Sequence, residues 1–292
     1  MSPPVTSRPT WWSRLESWWF APVARGRVAA LRAAIYGFLF YDVIVITWFS
    51  HGRGAVPRAL YQPLFLARHL NLPAPGARVI PIVMVALLVC AAVAMTGRLP
   101  RVAGYAVLAL YVQWIVMAFS YGKVDHDRFA LVVALAVLPT VGRARLGDET
   151  ADEASGWAVR CIQVAVVVTY VGAAWAKLRF GGPEWLVGAT LMRAVLRRGT
   201  TLAEPLEQLP VLLQATQVGI VAFELAAPLL LAPGRLGRFY LGVALAFHLV
   251  TFAFLRLIFL PHIVCLLAFL PLERIPLPAW NARPLRAGLR NP

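Results

Sequence analysis

The stretch WAVRCIQVAVVVTYVGAAWAKL, residues 157 to 178, decides the architecture. It carries one charge near its start, Arg160, and one at its end, Lys177, with none between. As a helix it extends about 33 Å at 1.5 Å per residue, enough to cross the roughly 30 Å hydrocarbon layer of a bilayer. A helix that is apolar on every side has no face to show to water, so a transmembrane span is predicted. Working outward, apolar runs recur at 28–49, 78–96, 102–121, 126–141, 208–232, 237–254 and 257–272, which with 157–178 make eight. The runs at 126–141 and 257–272 are short enough to be tilted hairpin partners or re-entrant segments. Glycine and proline punctuate the boundaries, at Gly97 and Pro100, Gly122, Gly142, Gly181 to Pro183, and Pro233 to Gly234. The expected fold class is all-α: a polytopic transmembrane helical bundle of about eight spans.

Composition points the same way. Of the 292 residues, 60% are hydrophobic and 14% charged, with a mean hydropathy of +0.70, whereas soluble domains carry about 25% charged residues. No polar or Ser/Gly-rich stretch is long enough to be a linker, so residues 1–292 are expected to form one integral membrane domain. The formal charge of +15 comes from 26 arginines and two lysines that lie mostly between apolar runs. There they set topology and meet anionic lipid headgroups, so membrane lipids are the expected partners and nucleic acid is not. Cys90, Cys161 and Cys265 are far apart inside apolar segments, without metal-ligand or C-x-x-C spacing.

Residues 10–20, TWWSRLESWWF, place Trp11, Leu15, Trp18 and Trp19 on one helical face and Arg14 and Glu16 off it. That pattern predicts a helix lying in the membrane interface; a loosely ordered tail is the alternative. Residues 273–292 read as a Pro/Arg-rich tail. With the N terminus inside, fifteen basic residues fall on the cytoplasmic side against twelve outside, which favours that orientation by a narrow margin. The acidic loop with Asp148, Glu149, Asp152 and Glu153 then faces the cytoplasm, where a solvated loop suffices as its reading.

A charge at a helix centre costs roughly 2.5–3.5 kcal/mol on insertion scales, so each one needs a reason. Arg32 and Asp42 lie in the first run, Lys177 ends the fifth, Glu224 lies in the sixth and His248 in the seventh; His126 opens the fourth, and Arg256 and His262 flank the last turn. Following the chain back and forth brings Asp42, His126, Lys177 and His248 to one outer level, with Glu224 nearer the midplane and Arg32 nearer the cytoplasm. Asp42 and Glu224 can equally be members of structural ion pairs, and His248 a satisfied core histidine. Lys177 can be a snorkelling anchor. Yet a chain with 26 arginines uses lysine here, and only lysine can give up its proton when desolvated.

At these residues the sequence resembles the HTTM (horizontally transferred transmembrane domain) family, bacterial relatives of the membrane domain of vitamin K-dependent γ-glutamyl carboxylase. The likeness covers roughly residues 28–272. It rests on L-R-A-A-I-Y-G-F-L-F-Y-D with Arg32 and Asp42, V-D-H-D-R-F with His126, Y-V-G-A-A-W-A-K-L at 170–178, E-W-L-V-G at 184–188, and F-H-L-V from Phe247 with a later F-L-P. The resemblance implies that Lys177 is a general base and that His126 donates to a developing oxyanion. Around them, Asp42, Arg32, Tyr170, Trp185, Glu224 and His248 are the expected substrate-binding residues, and no metal site is expected. It further implies a lipid-soluble quinone as partner, such as a reduced vitamin K hydroquinone as cofactor, and a bacterial cytoplasmic membrane as location. Where the carboxylase has paired lysines this chain has Ala176 and Lys177, and only IPLPAWNARPLRAGLRNP follows the last run, so a carboxylase of protein glutamate is not expected. The expected function is an enzyme acting through a lysine base on a quinone-like or lipid-soluble compound. A transporter, a lipid-binding protein or a scaffold is the alternative.

Overall fold

The computed structural model describes residues 10–122 and 124–275. Apart from two-residue strands, its elements are helical. They are α1 (Trp11–Trp19), α2 (Arg25–Tyr41), α3 (Phe65–His69), α4 (Val79–Met95), α5 (Pro100–Phe119), α6 (Phe129–Val137), α7 (Glu153–Val187), α8 (Thr190–Arg198), α9 (Pro210–Leu225), α10 (Arg235–Leu255) and α11 (Leu260–Leu266). Every predicted apolar run falls on a helix. Four are long and apolar enough to cross a membrane: Arg25–Ile46, Pro100–Phe119, Glu153–Val187 and Arg235–Leu255. Val79–Met95, Pro210–Leu225 and Leu260–Phe269 are shorter apolar helices. The chain is thus an all-α membrane bundle.

The side chains confirm which solvent surrounds it. Val211, Phe239 and Ile82 are 77%, 70% and 67% exposed on the outer faces of α9, α10 and α4, where a water-soluble helix would carry charge. The two shortest runs form the interior helices. The α6 and α11 helices pack on each other at the centre, and Ala130, Leu131, Ala134, Leu135 and Cys265 are fully buried. Short helices and irregular backbone are tolerated at membrane depth where protein surrounds them.

The segment expected to lie in the interface is helical, over Trp11–Trp19. The Thr10 hydroxyl caps it by accepting from the Ser13 amide at 3.2 Å. Trp11, Trp12 and Leu15 are exposed, while Trp18 turns inward beneath the Arg160 guanidinium, 4.7 Å from its ring centroid. The acidic loop, expected to be merely solvated, instead pins the start of α2. Val23–Ala24 pairs antiparallel with Ala151–Asp152, and Arg25 Nε donates to Asp152 at 2.6 Å. Asp152 also caps α7 by accepting from the Ser155 amide at 2.7 Å. Burial alone would raise the Asp152 pKa, but hydrogen bonding from Ser155 and Arg25 holds it below its ordinary value. The approach is so close that a Cβ on Gly156 would stand 2.0 Å from the Ala21 carbonyl oxygen. At the same end of α2, Arg27 grips Glu273 with two bonds of 2.7 and 2.8 Å; the remainder of the predicted tail, 276–292, lies outside the described residues.

These contacts place the 148–152 loop at the start of α2 and residues 47–55 at its other end, about 33 Å away along a 22-residue helix. In a chain with its three cysteines replaced by alanine, Ala55→Cys and Glu149→Cys are therefore expected to label from opposite faces of the membrane. Labelling of both from one face would break the transmembrane placement of α2.

Candidate functional site

The site is built on the middle of α7. Tyr170 and Lys177 are seven residues apart, two helical turns, and so share a face. That face looks into a cavity of about 370 Å3 lined by α7, α8, α9, α10, the turn at His126 and the segment leading into α11. Lys177 Nζ donates to Glu224 Oε1 at 2.5 Å and Oε2 at 2.7 Å. The lysine side chain is 22% exposed and the glutamate 6%. A helical side chain leans toward its own N terminus, which lets Lys177 reach a carboxylate that the sequence places nearer the midplane.

Trp185 covers the ammonium, its ring centroid 5.4 Å from Nζ. It can do so because α7 breaks at Gly182, whose φ of 60° lies outside the helical region, with Pro183 opening the next turn. Gln217 holds the redirected segment. Its Nε2 donates to the carbonyls of Trp185, Leu186 and Gly188 at 3.0 Å each, and its Oε1 accepts from the Leu191 amide at 2.5 Å. Gln217 is 1% exposed, so a buried amide sets the position of the tryptophan above the lysine.

Below this pair lies an aromatic floor. Tyr170 Oη and His248 Nε2 share a hydrogen bond of 2.7 Å, and His262 meets the Tyr170 ring edge-on at 4.5 Å. Among the described residues, His248 Nδ1 and both nitrogens of His262 have no hydrogen-bond partner, although His262 is 2% exposed. Buried polar atoms are ordinarily satisfied, whereas these nitrogens lie buried behind the cavity wall without a partner. His126 also lines the cavity. Two further spaces adjoin it. One of about 540 Å3, almost wholly apolar, shares Leu191, Ile220, Phe247, Thr251 and Leu255; another of about 700 Å3 shares His126, Thr169, Ala173 and Lys177. Among the described residues no three His, Cys, Asp or Glu side chains come together to hold a metal ion.

Of the residues singled out in the sequence, the cavity brings together Lys177, His126, Tyr170, Trp185, Glu224 and His248. Arg32 and Asp42, expected to bind substrate, stand outside it. Arg32 is 1% exposed and donates to the carbonyls of Gly142 at 2.9 Å, Leu138 at 2.7 Å and Val141. It caps the end of the α6 segment, where helical carbonyls lack intrahelical donors. Asp42 is fully buried and accepts from Arg128 at 2.8 Å and from the Tyr111 hydroxyl at 2.9 Å. Asp42 begins a π-helical turn, Asp42–Ile46, whose carbonyl accepts from the Thr47 amide at 2.7 Å; the Thr47 hydroxyl in turn accepts from Trp114 Nε1 at 2.8 Å. Both residues therefore serve the bundle, and Arg128 fixes the turn His126–Arg128 that presents His126 to the cavity.

In comparisons with known proteins, no family model, no curated protein and no solved structure matches this chain.

Proposed function

We propose that this membrane protein binds a lipid-soluble, quinone-like compound in the Lys177 cavity and exchanges a proton with it, as the resemblance to the HTTM family implies. The observation that carries this reading is the Lys177–Glu224 pair facing a cavity that is also lined by His248 and His262, whose buried nitrogens include three without a partner among the described residues. Lys177 takes up a proton only as the neutral amine, and Glu224 in two-point contact is the group that can take the ammonium's proton first. Oxygen atoms of the occupant would then lie within reach of Lys177 at one end and of the histidines at the other. A reduced quinone such as a vitamin K hydroquinone has that pair of oxygens and the apolar body the walls require. On this reading the protein is bacterial, sits in the cytoplasmic membrane, and is an enzyme distantly like the vitamin K-dependent carboxylase.

A second reading, carriage of an amphiphile without chemistry, is favoured by the adjoining apolar space, which gives head and tail separate compartments. Both readings require an occupant. Extraction of the purified protein followed by mass spectrometry is expected to yield one lipid-soluble species at near-stoichiometric level. Ala173→Trp, which fills the wall shared by two of the spaces, is expected to lose it. Recovery of bulk phospholipid alone from both proteins would overturn the proposal.

A further inference from the structure

A second feature lies beside this cavity, on charges that the proton chemistry leaves unused. Arg197 and Arg198 end α8, Arg256 follows α10, and the three line a concavity of about 420 Å3 together with Leu255. Leu255 also lines the apolar space of about 540 Å3, whose wall continues through Val195, Leu213 and Phe254. The arrangement is fixed by packing. Val195, Ala203, Leu213 and Leu255 form a hydrophobic cluster of their own. The chain just after α8 is tied to the end of α10, Thr200 donating its amide to Phe254 at 2.9 Å and its hydroxyl to Ala253 at 2.7 Å.

Two arginines at a helix C terminus are an ordinary complement to the helix dipole. That account does not reach Arg256, which comes from another helix to the same concavity. Arg256 has φ 52° and ψ 29°, the left-handed conformation that glycine adopts freely and other residues only against steric resistance. Glycine would end α10 as well; arginine adds a charge there. Among the described residues none of the three guanidiniums makes an ion pair or a side-chain hydrogen bond, and Glu204 and Glu207, on the segment packed against α8, do not reach them. Three like charges around one hollow repel until an anion enters, and guanidinium groups suit phosphate because they bond it in parallel pairs.

We propose that this face binds a phosphorylated lipid, with the phosphate held by Arg197, Arg198 and Arg256 and the acyl or isoprenoid chain laid in the apolar space beside α8. The distance fits: Leu191, at the inner wall, and Arg198, at the rim, are seven residues or about 10 Å apart along α8. Arg198 also lines the Lys177 cavity, but the phosphate site draws on Arg197 and Arg256 beyond it and stands whether or not proton exchange occurs at Lys177.

The full chain in phosphate-free maltoside micelles tests this with three probes: palmitoyl lysophosphatidic acid, monopalmitoylglycerol and glycerol 3-phosphate. Thermal shift titrations are expected to give about tenfold or more tighter binding of the lysophosphatidic acid than of the uncharged monoglyceride, as charge-assisted bonds to phosphate predict. Arg256→Gly keeps the backbone turn, and with Arg197→Gln and Arg198→Gln it is expected to abolish that preference. Gly219→Trp, at a position of the apolar space where an added Cβ meets nothing within 4 Å, is expected to weaken lysophosphatidic acid to the level of glycerol 3-phosphate. Equal binding of the charged and uncharged lipids by the parent protein overturns the phosphate site. Glycerol 3-phosphate binding as tightly as the lysophosphatidic acid assigns the anion to solution and overturns the lipid site. An unchanged preference in the triple variant overturns the assignment to these arginines.

Discussion

Arg128→Met is expected to destabilise the bundle by about 3–5 kcal/mol, the range seen when one partner of a buried ion pair is removed. Arg128 is 4% exposed and Asp42 wholly buried, with 2.8 Å between Nη2 and Oδ1. Taking the guanidinium away leaves the Asp42 carboxylate with the Tyr111 hydroxyl as its remaining side-chain donor, and also strips Asp127 of a partner at 3.2 Å. Asp42→Leu combined with Arg128→Met removes both charges and is expected to cost less than Arg128→Met alone, because no buried charge is then uncompensated. Reversible unfolding in mixed micelles measures both. A loss below about 1 kcal/mol for the single substitution, close to the mean for polar contacts inside membranes, would show that this pair does not hold α2 to the His126 turn.

That network also shows what a single sequence can and cannot display. The apolar runs were visible because lipid excludes charge, so burial and exposure alike demand apolar residues, and every run is a helix. Partnership was not visible. Asp42 was conspicuous as a carboxylate inside a run, yet Arg128 stands at the start of one, where a basic residue is ordinary. Arg32 was conspicuous too, and its use as a cap for carbonyls some 110 residues away could be known only once α2 and α6 were side by side.

The cavity was legible in part for the same reason. Lys177, Glu224, His126 and His248 carry the chemistry that an inventory of intramembrane charges detects, and they meet. Gln217 carries no charge, so nothing in that inventory marked it, although four hydrogen bonds make it the brace of the segment that carries Trp185. His262 stands out in the sequence only as a flank of the last turn; its lack of hydrogen-bond partners among the described residues is a property of the packing around it. The Gly181–Pro183 stretch reads as a boundary in the sequence, and the helix breaks there at Gly182 before a second helical segment runs to Val187.

Lys177→Arg is the substitution with the largest expected effect on function, and the geometry makes it a fair test. Arginine can replace the ammonium's two contacts with a parallel pair of bonds to Glu224, and its plane can stack beneath Trp185 as lysine's charge does. The fold is therefore expected to melt within about 2 °C of the parent, since the change in stability should be a fraction of a kcal/mol. What arginine cannot do is become neutral at accessible pH. If Lys177 exchanges a proton with the occupant, turnover should fall by about 10²–10⁴-fold, the usual contribution of a positioned acid–base group, while the occupant is still recovered on extraction. Lys177→Ala would be less informative, because it leaves the 6%-exposed Glu224 side chain without its cation and mixes lost chemistry with lost structure. A stable arginine variant with undiminished turnover would reduce Lys177 to an anchor, and carriage of the amphiphile would then be the better account of the cavity.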